Sequence, residues 1–216
     1  MGFGVYSSVN REARAASEGY STKSKGQLFP QDNIHVAMSP LGLTIRESRD
    51  SEEHPNSLAI IIALDETGSM GDIPHDLVKD GLPTLVSTII QHGIPDPQIL
   101  FLGIGDHEYD KSPIQVSQFE SSDELLDKWL TNVYLEGGGG GNTGESYLLA
   151  WYVAAKHTSI DCLEKRNQKG ILITIGDEPT LTRIPARVLS SLFGSDGQYS
   201  DITAEELLKQ AREKYH

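Results

Sequence analysis

Leu58-Ala-Ile-Ile-Ile-Ala-Leu64 runs directly into Asp65-Glu-Thr-Gly-Ser-Met-Gly71. An unbroken apolar run bounded by polar residues predicts a strand buried on both faces, as in a parallel sheet. The strand ends on an acid, and hydroxyls follow two and four positions later, giving Asp65, Thr67 and Ser69. A helix-like segment begins near Ile73-Pro74, with Pro suited to a first turn. A carboxylate and two hydroxyls therefore sit on the loop at the carboxyl end of a central strand, where open α/β sheets bind ligands. Hard oxygen donors gathered at one point suit Mg²⁺ or Mn²⁺. The same residues could equally cap the next helix.

Outward from that stretch, strands alternate with helices. Pro74–His92 carries apolar residues at helical spacing, with Pro83 expected to kink or split it and Gly93 to end it. Ile99–Ile104 reads as a second buried strand and leads to Asp106. Ile114–Phe119 alternates like a half-exposed edge strand. Ser122–Leu130 opens with a capping signature. Five consecutive glycines, Gly137–Gly141, exclude helix and strand there and lead into Asn142, Thr143 and Glu145. A helix follows, with Tyr147, Leu148, Trp151 and Ala155 on one face. Ile171–Ile175 reads as another fully buried strand, followed by Gly176 and Asp177. Two amphipathic segments, Ile184–Phe193 and Thr203–Tyr215, close the chain. This pattern predicts an α/β fold with a doubly wound, mostly parallel sheet and helices on both faces, in a Rossmann-like arrangement.

Before residue 57 the signals are weaker. Residues 1–25 predict a solvated tail, with a thin helix over Ser8–Ser17. Ile34–Met38 and Leu43–Ile45 predict a short hairpin around Ser39–Gly42. Arg46–Asn56 reads as a charged linker. The expected organisation is an N-terminal extension over 1–56 and one α/β domain over 57–216.

Composition narrows the partners. The chain has 216 residues with 18 basic and 31 acidic side chains, a net charge of −13. The first 57 residues are nearly balanced (six against seven), so the remainder carries −12 (12 against 24). Such a surface repels nucleic acid and anionic lipid, and neither is expected as a partner. The single Cys162 fits a reducing compartment, no stretch approaches the roughly 18 apolar residues of a membrane span, and the expected location is the cytoplasm.

Asp65/Thr67/Ser69, Asn142/Thr143 and Asp177 lie on loops that converge in a doubly wound sheet. This combination resembles the von Willebrand factor A (vWA) domain and its metal-ion-dependent adhesion site (MIDAS). The resemblance covers about 57–216 and rests on strand-Asp65-x-Thr67-x-Ser69, the Gly-rich loop bearing Thr143, and strand-Gly176-Asp177, in the order β-helix-β-β-helix-helix-β. It implies a divalent cation, Mg²⁺ or Mn²⁺, held directly by Thr67 and Ser69. Asp65 and Asp177 would act through water, and Thr143 would move in and out of direct contact. The family more often has Ser where this chain has Thr67, and the oxygen is kept. Asn142, Thr143 or Glu145 could each supply the third-loop ligand, and Thr143 is the choice. The implied function is a protein–protein interaction module that binds a partner's acidic side chain through the ion, in an intracellular bacterial or phage protein working beside an AAA+ ATPase of the MoxR type. A domain of this family continues past its second C-terminal helix into another parallel strand beside Ile171–Ile175. This chain ends at His216, so the last strand is expected to be missing, and the open edge to be covered by the Ile34–Ile45 hairpin or by a strand from another protein.

Enzyme readings carry less. The five-Gly loop lacks the Gly-Lys-Ser/Thr ending of a phosphate cradle, and no Gly-x-Ser-x-Gly elbow occurs. A haloacid-dehalogenase-like site would place a second Asp where Thr67 stands, and Thr67 cannot serve as its general acid. Asp106 reads as a turn cap, Cys162 as core packing, and His75, His92, His107 and His157 show no paired spacing of zinc ligands. A Mg²⁺-dependent hydrolase or phosphatase is the runner-up, since a bound Mg²⁺ can activate water. A metal-free scaffold is the remaining alternative.

Overall fold

In the computed structural model, which describes residues 4–94, 96–136 and 144–216, α1 (Ser8–Ser17), α2 (Lys25–Leu28) and a 3₁₀ turn (Val36–Met38) precede β1 (Arg46–Ser48) and β2 (Leu58–Asp65). A 3₁₀ turn (Gly68–Met70), α3 (Ile73–Asp76), a π turn (Leu77–Gly81), α4 (Leu82–Gln91), β3 (Pro97–Ile104), β4 (Ile114–Val116) and α5 (Asp123–Thr131) follow. The rest comprises α6 (Tyr147–Lys156), β5 (Thr158–Ile160), α7 (Asp161–Glu164), β6 (Ile171–Ile175), β7 (Arg183–Ile184), α8 (Ala186–Phe193), β8 (Ile202–Thr203) and α9 (Ala204–Lys214).

The central sheet has the order β4-β3-β2-β6. β2 pairs in parallel with β3 (Ile61 opposite Leu100) and with β6 (Ile61 opposite Leu172), and β4 runs antiparallel to β3. The fold is α/β with a mixed, mostly parallel sheet. Ile60, Ile61 and Ile62 are fully buried, each worth about 1.5–3 kcal/mol of burial. α4, α5, α6 and α7 pack against this sheet. The expected long helix runs on through Pro83: a π turn inserted just before α4 accommodates the proline at its second residue. α5 starts where Ser122 accepts the Leu125 amide (3.3 Å), and α9 where Thr203 and Glu206 cap each other reciprocally.

Several expectations are corrected. The segment read as a solvated tail is a docked helix. Arg11 is buried, donating to Asp127 (3.2 Å) and to the carbonyls of Val78 and Lys79; Arg14 grips Asp123 (2.6 Å) and Asp127 (2.8 Å). Tyr20, Leu28, Phe29 and Met38 join the same hydrophobic cluster as β2. No hairpin forms over Ile34–Ile45. His35 Nδ1 accepts the Ala37 amide (3.2 Å) and Leu43 N donates to Pro40 O (3.0 Å), so local turns replace a ladder. The supposed linker contains β1, which pairs in parallel with β5 and is pinned by Arg49 on Asp161 and Glu164 (both 2.8 Å).

Edge coverage also differs. β4 is buried rather than half-exposed, because the Val36–Met38 turn lies against it. The extension thus covers the β4 edge, opposite the one expected. β6 is only partly buried, since the residues after α9 cover only its start. Leu172 N donates to His216 O (3.0 Å) and His216 N to Gly170 O (2.9 Å), beginning a parallel pairing beside β6. Among the described residues, no helix is long and apolar enough to cross a membrane.

Candidate functional site

Parallel pairing places three strand ends side by side. Asp65 lies opposite Ile104, and Leu64 opposite Ile175, so the loops bearing Asp106 and Asp177 flank the Asp65 loop. Glu145, entering α6, straps two of them together. Its amide donates to Pro179 O (2.9 Å), its carbonyl accepts Leu181 N (2.9 Å), and the next amide, of Ser146, donates to Gly105 O (3.2 Å).

Within this frame four predicted residues form a continuous chain of contacts. Thr67 donates to Asp65 Oδ1 from its amide (2.9 Å) and its hydroxyl (2.6 Å). Thr67 Oγ1 lies 3.0 Å from Ser69 Oγ, and Ser69 Oγ lies 3.0 Å from Asp177 Oδ1. Asp65 and Thr67 are buried, while Ser69 and Asp177 are exposed, so the cluster opens to solvent on one side. Asn142 and Thr143, the favoured third-loop ligand, lie outside the described residues, as does the five-Gly loop.

Three oxygen–oxygen contacts link Asp65, Thr67, Ser69 and Asp177, and two hydroxyl protons are available to fill them. With both carboxylates ionised, one contact is left without a proton. If the hydroxyls donate to the carboxylates, Thr67 and Ser69 turn lone pairs toward each other at 3.0 Å, an arrangement that a cation relieves. An octahedral ion with Mg–O distances of about 2.0–2.1 Å brings adjacent ligands to about 3 Å of each other. The residues present therefore fit a small hard cation. Two hydroxyls and two carboxylates make up this set; among the described residues, no group of three or more His, Cys, Asp or Glu side chains is placed to hold a metal.

Tyr147 completes the site and was read from the sequence only as part of an apolar helix face. Its hydroxyl donates to Asp65 Oδ2 (2.6 Å) and accepts the Glu178 amide (3.3 Å). Burial and the hydrogen bond to Asp65 push its phenol upward. A side chain at Gly176 would place Cβ 2.1 Å from that hydroxyl, which explains the glycine before Asp177.

Several acids surround the cluster. Glu66, Asp106 and Glu145 are buried, each with one carboxylate oxygen lacking a hydrogen-bond partner among the described residues. Burial, opposed by Gln115 and reinforced by Glu136, Asp110 and Asp65, holds the Glu66 carboxyl well above the usual range. Burial and Asp65 push Glu145 up to about 8. Among the described residues, none of these acids forms an ion pair with a basic side chain. Crowded, desolvated carboxylates cluster at functional sites more than elsewhere.

The other candidates take structural roles. Asp106 Oδ1 accepts the Glu108 amide (2.9 Å), closing a turn. His75 and His92 bond backbone carbonyls, His107 bonds Ser146, and His157 stacks on Phe193. Cys162 is fully buried. No protein-family model matches this chain, and no curated protein matches it.

Proposed function

We propose that this chain binds Mg²⁺ or Mn²⁺ on Asp65, Thr67, Ser69 and Asp177, and that the ion binds an acidic side chain of a protein partner. The observation that carries this reading is the proton shortage along the Asp65–Thr67–Ser69–Asp177 chain of contacts. Hydroxyl donors leave a bound cation most of its charge, because the carboxylates are engaged with Thr67, Ser69 and Tyr147. An incoming carboxylate then completes the coordination. On this reading the domain is of the vWA type, doubly wound, with Thr143 as the third-loop ligand. The MoxR-type ATPase, as partner in a cytoplasmic complex, is an inference from the resemblance alone.

A pull-down from lysate, with the intact chain as bait, tests the reading. Partners should be retained with Mg²⁺ and lost with chelator, and Ser69→Ala should lose them even with Mg²⁺. Ser69 is exposed and, among the described residues, its hydroxyl bonds only within the cluster, so the variant should fold normally. Equal retention by Ser69→Ala would count against the proposal.

A second reading, Mg²⁺-assisted hydrolysis, draws on Glu145. A carboxyl pushed up to about 8 holds a proton at neutral pH and could act as a general acid beside the ion. Chelator-sensitive phosphate release from a generic ester would favour it over the adhesion reading.

A further inference from the structure

The turn that carries Ser69 is weakly held by its own bonds. Met70 N donates to Thr67 O and Gly71 N to Gly68 O, both at 3.3 Å, the long bonds of a short 3₁₀ turn. The next helix, α3, begins after Asp72 with no side-chain cap. Ser69 Oγ touches Thr67 and Asp177, but those are the oxygens that a cation would take over. The buried Met70 side chain is one remaining anchor, and the N-terminal extension supplies two more. Lys25 Nζ donates to Gly71 O (2.7 Å), and His75 Nε2 donates to Lys23 O (3.0 Å). The segment that grips the turn is itself fixed. Ser24 N donates to Gln27 Oε1 (2.9 Å) at the start of α2, and Leu28 and Phe29 at its end belong to the core.

We infer that the N-terminal extension is a strap that holds the Ser69 turn in its ligating position, with Lys25 as the positioning residue. Which oxygens the strap serves rests on the proposed cation site; its hold on the turn does not. A small hard ion keeps its donors at about 2.0–2.1 Å and tolerates little movement of any of them. A turn free to swing away from Thr67 would therefore bind the ion less well. Lys25 pins the carbonyl two residues beyond Ser69 from a helical turn that the core anchors. The sign of the effect separates two roles for this lysine. A mere positive charge near the site would repel the ion, and its removal would tighten binding. Removal of a positioning residue weakens binding. The linkage is reciprocal: an ion that fixes the turn also steadies the segment bonded to it.

Amide hydrogen exchange of the intact chain in chelator tests the hold itself. Lys25→Met should speed exchange at the Met70 and Gly71 amides about five- to tenfold, roughly the worth of one hydrogen bond, with the β2 and β3 amides as in the parent. Lys25→Arg keeps a donor and should restore most of the protection. Lys25 is only half-buried, so both variants should fold. Calorimetric titration then reads the affinity. Mg²⁺ should bind Lys25→Met about five- to tenfold more weakly than the parent, with Lys25→Arg between them. In the parent, Mg²⁺ should slow exchange at the Lys23 and Ser24 amides, and in Ser69→Ala it should not. Unchanged exchange in Lys25→Met would overturn the strap, and equal or tighter Mg²⁺ binding would overturn Lys25 as a positioning residue. A flat titration of the parent would count against the cation reading instead, and exchange in chelator would still decide the strap.

Discussion

Asp127→Ala is expected to cost about 3–5 kcal/mol of folding stability, the range for removing one partner of a buried ion pair. Asp127 holds two arginines at once: Arg11 Nε at 3.2 Å and Arg14 Nη2 at 2.8 Å. Its side chain is 3 % exposed, and that of Arg11 4 %. Without Asp127, Arg11 keeps, among the described residues, only the Val78 and Lys79 carbonyls as acceptors, and its buried guanidinium has no ion-pair partner there. The loss should release α1 from α5, and with it the segment carrying Tyr20, Leu28 and Phe29 to the core. Urea unfolding of the variant beside the parent measures the effect. A lower midpoint is expected, with a shallower slope because the released segment leaves less surface to expose on unfolding. A change under about 1 kcal/mol, the size of a surface pair, would mean that α1 is a loose attachment.

Gly103→Ala should cost about 2–4 kcal/mol through a different mechanism, adding overpacking to a broken buried hydrogen bond. Gly103 lies in fully buried β3, and a Cβ there would stand 2.0 Å from Glu66 Oε2 and 3.2 Å from Gln115 Nε2. The atoms nearest that Cβ all belong to the Glu66 and Gln115 side chains, so Glu66 must leave its place. That movement would break the Gln115 contact. The variant should therefore show a lower unfolding midpoint. Full stability in Gly103→Ala would show that Glu66 has other room.

The sequence made β2 and its loop legible because two signals coincide there. Seven apolar residues without alternation leave few options but a central strand, and Asp65, Thr67 and Ser69 repeat at the spacing of a turn whose side chains converge. The strand register then brings Asp177 into contact, which only the sheet could reveal. Glu66 was opaque for a local reason: it looks like a spacer between Asp65 and Thr67, yet it points inward over Gly103. Tyr147 was hidden because a tyrosine on an apolar helix face gives no sign of which group its hydroxyl will meet. The docking of α1 depends on pairs more than 100 residues apart, Arg14 with Asp123 and Asp127. Composition records those charges but not their partners, so a helix with a thin apolar face reads as solvated. β1 and β5 are three residues each, too short for period-2 alternation to register.

The central claim is that a divalent cation binds the Asp65–Thr67–Ser69–Asp177 cluster, and calorimetric titration with Mg²⁺ and Mn²⁺ in two buffers of different ionisation enthalpy tests it most directly. Glu145 supplies the sign of the proton term. Its carboxyl is raised to about 8, by burial first and Asp65 next, so the metal-free folded protein holds that proton at pH 7. The stability from this raised group is fully present below its unfolded value of about 4.3 and is lost as pH rises toward 8. A cation beside Asp65 offsets that repulsion but not the burial, and so favours partial release of the proton. One bound ion per chain is predicted, with up to about one proton released at pH 7, affinity rising with pH, and no binding to Ser69→Ala. A flat titration, or binding to Ser69→Ala as tight as to the parent, would contradict the account.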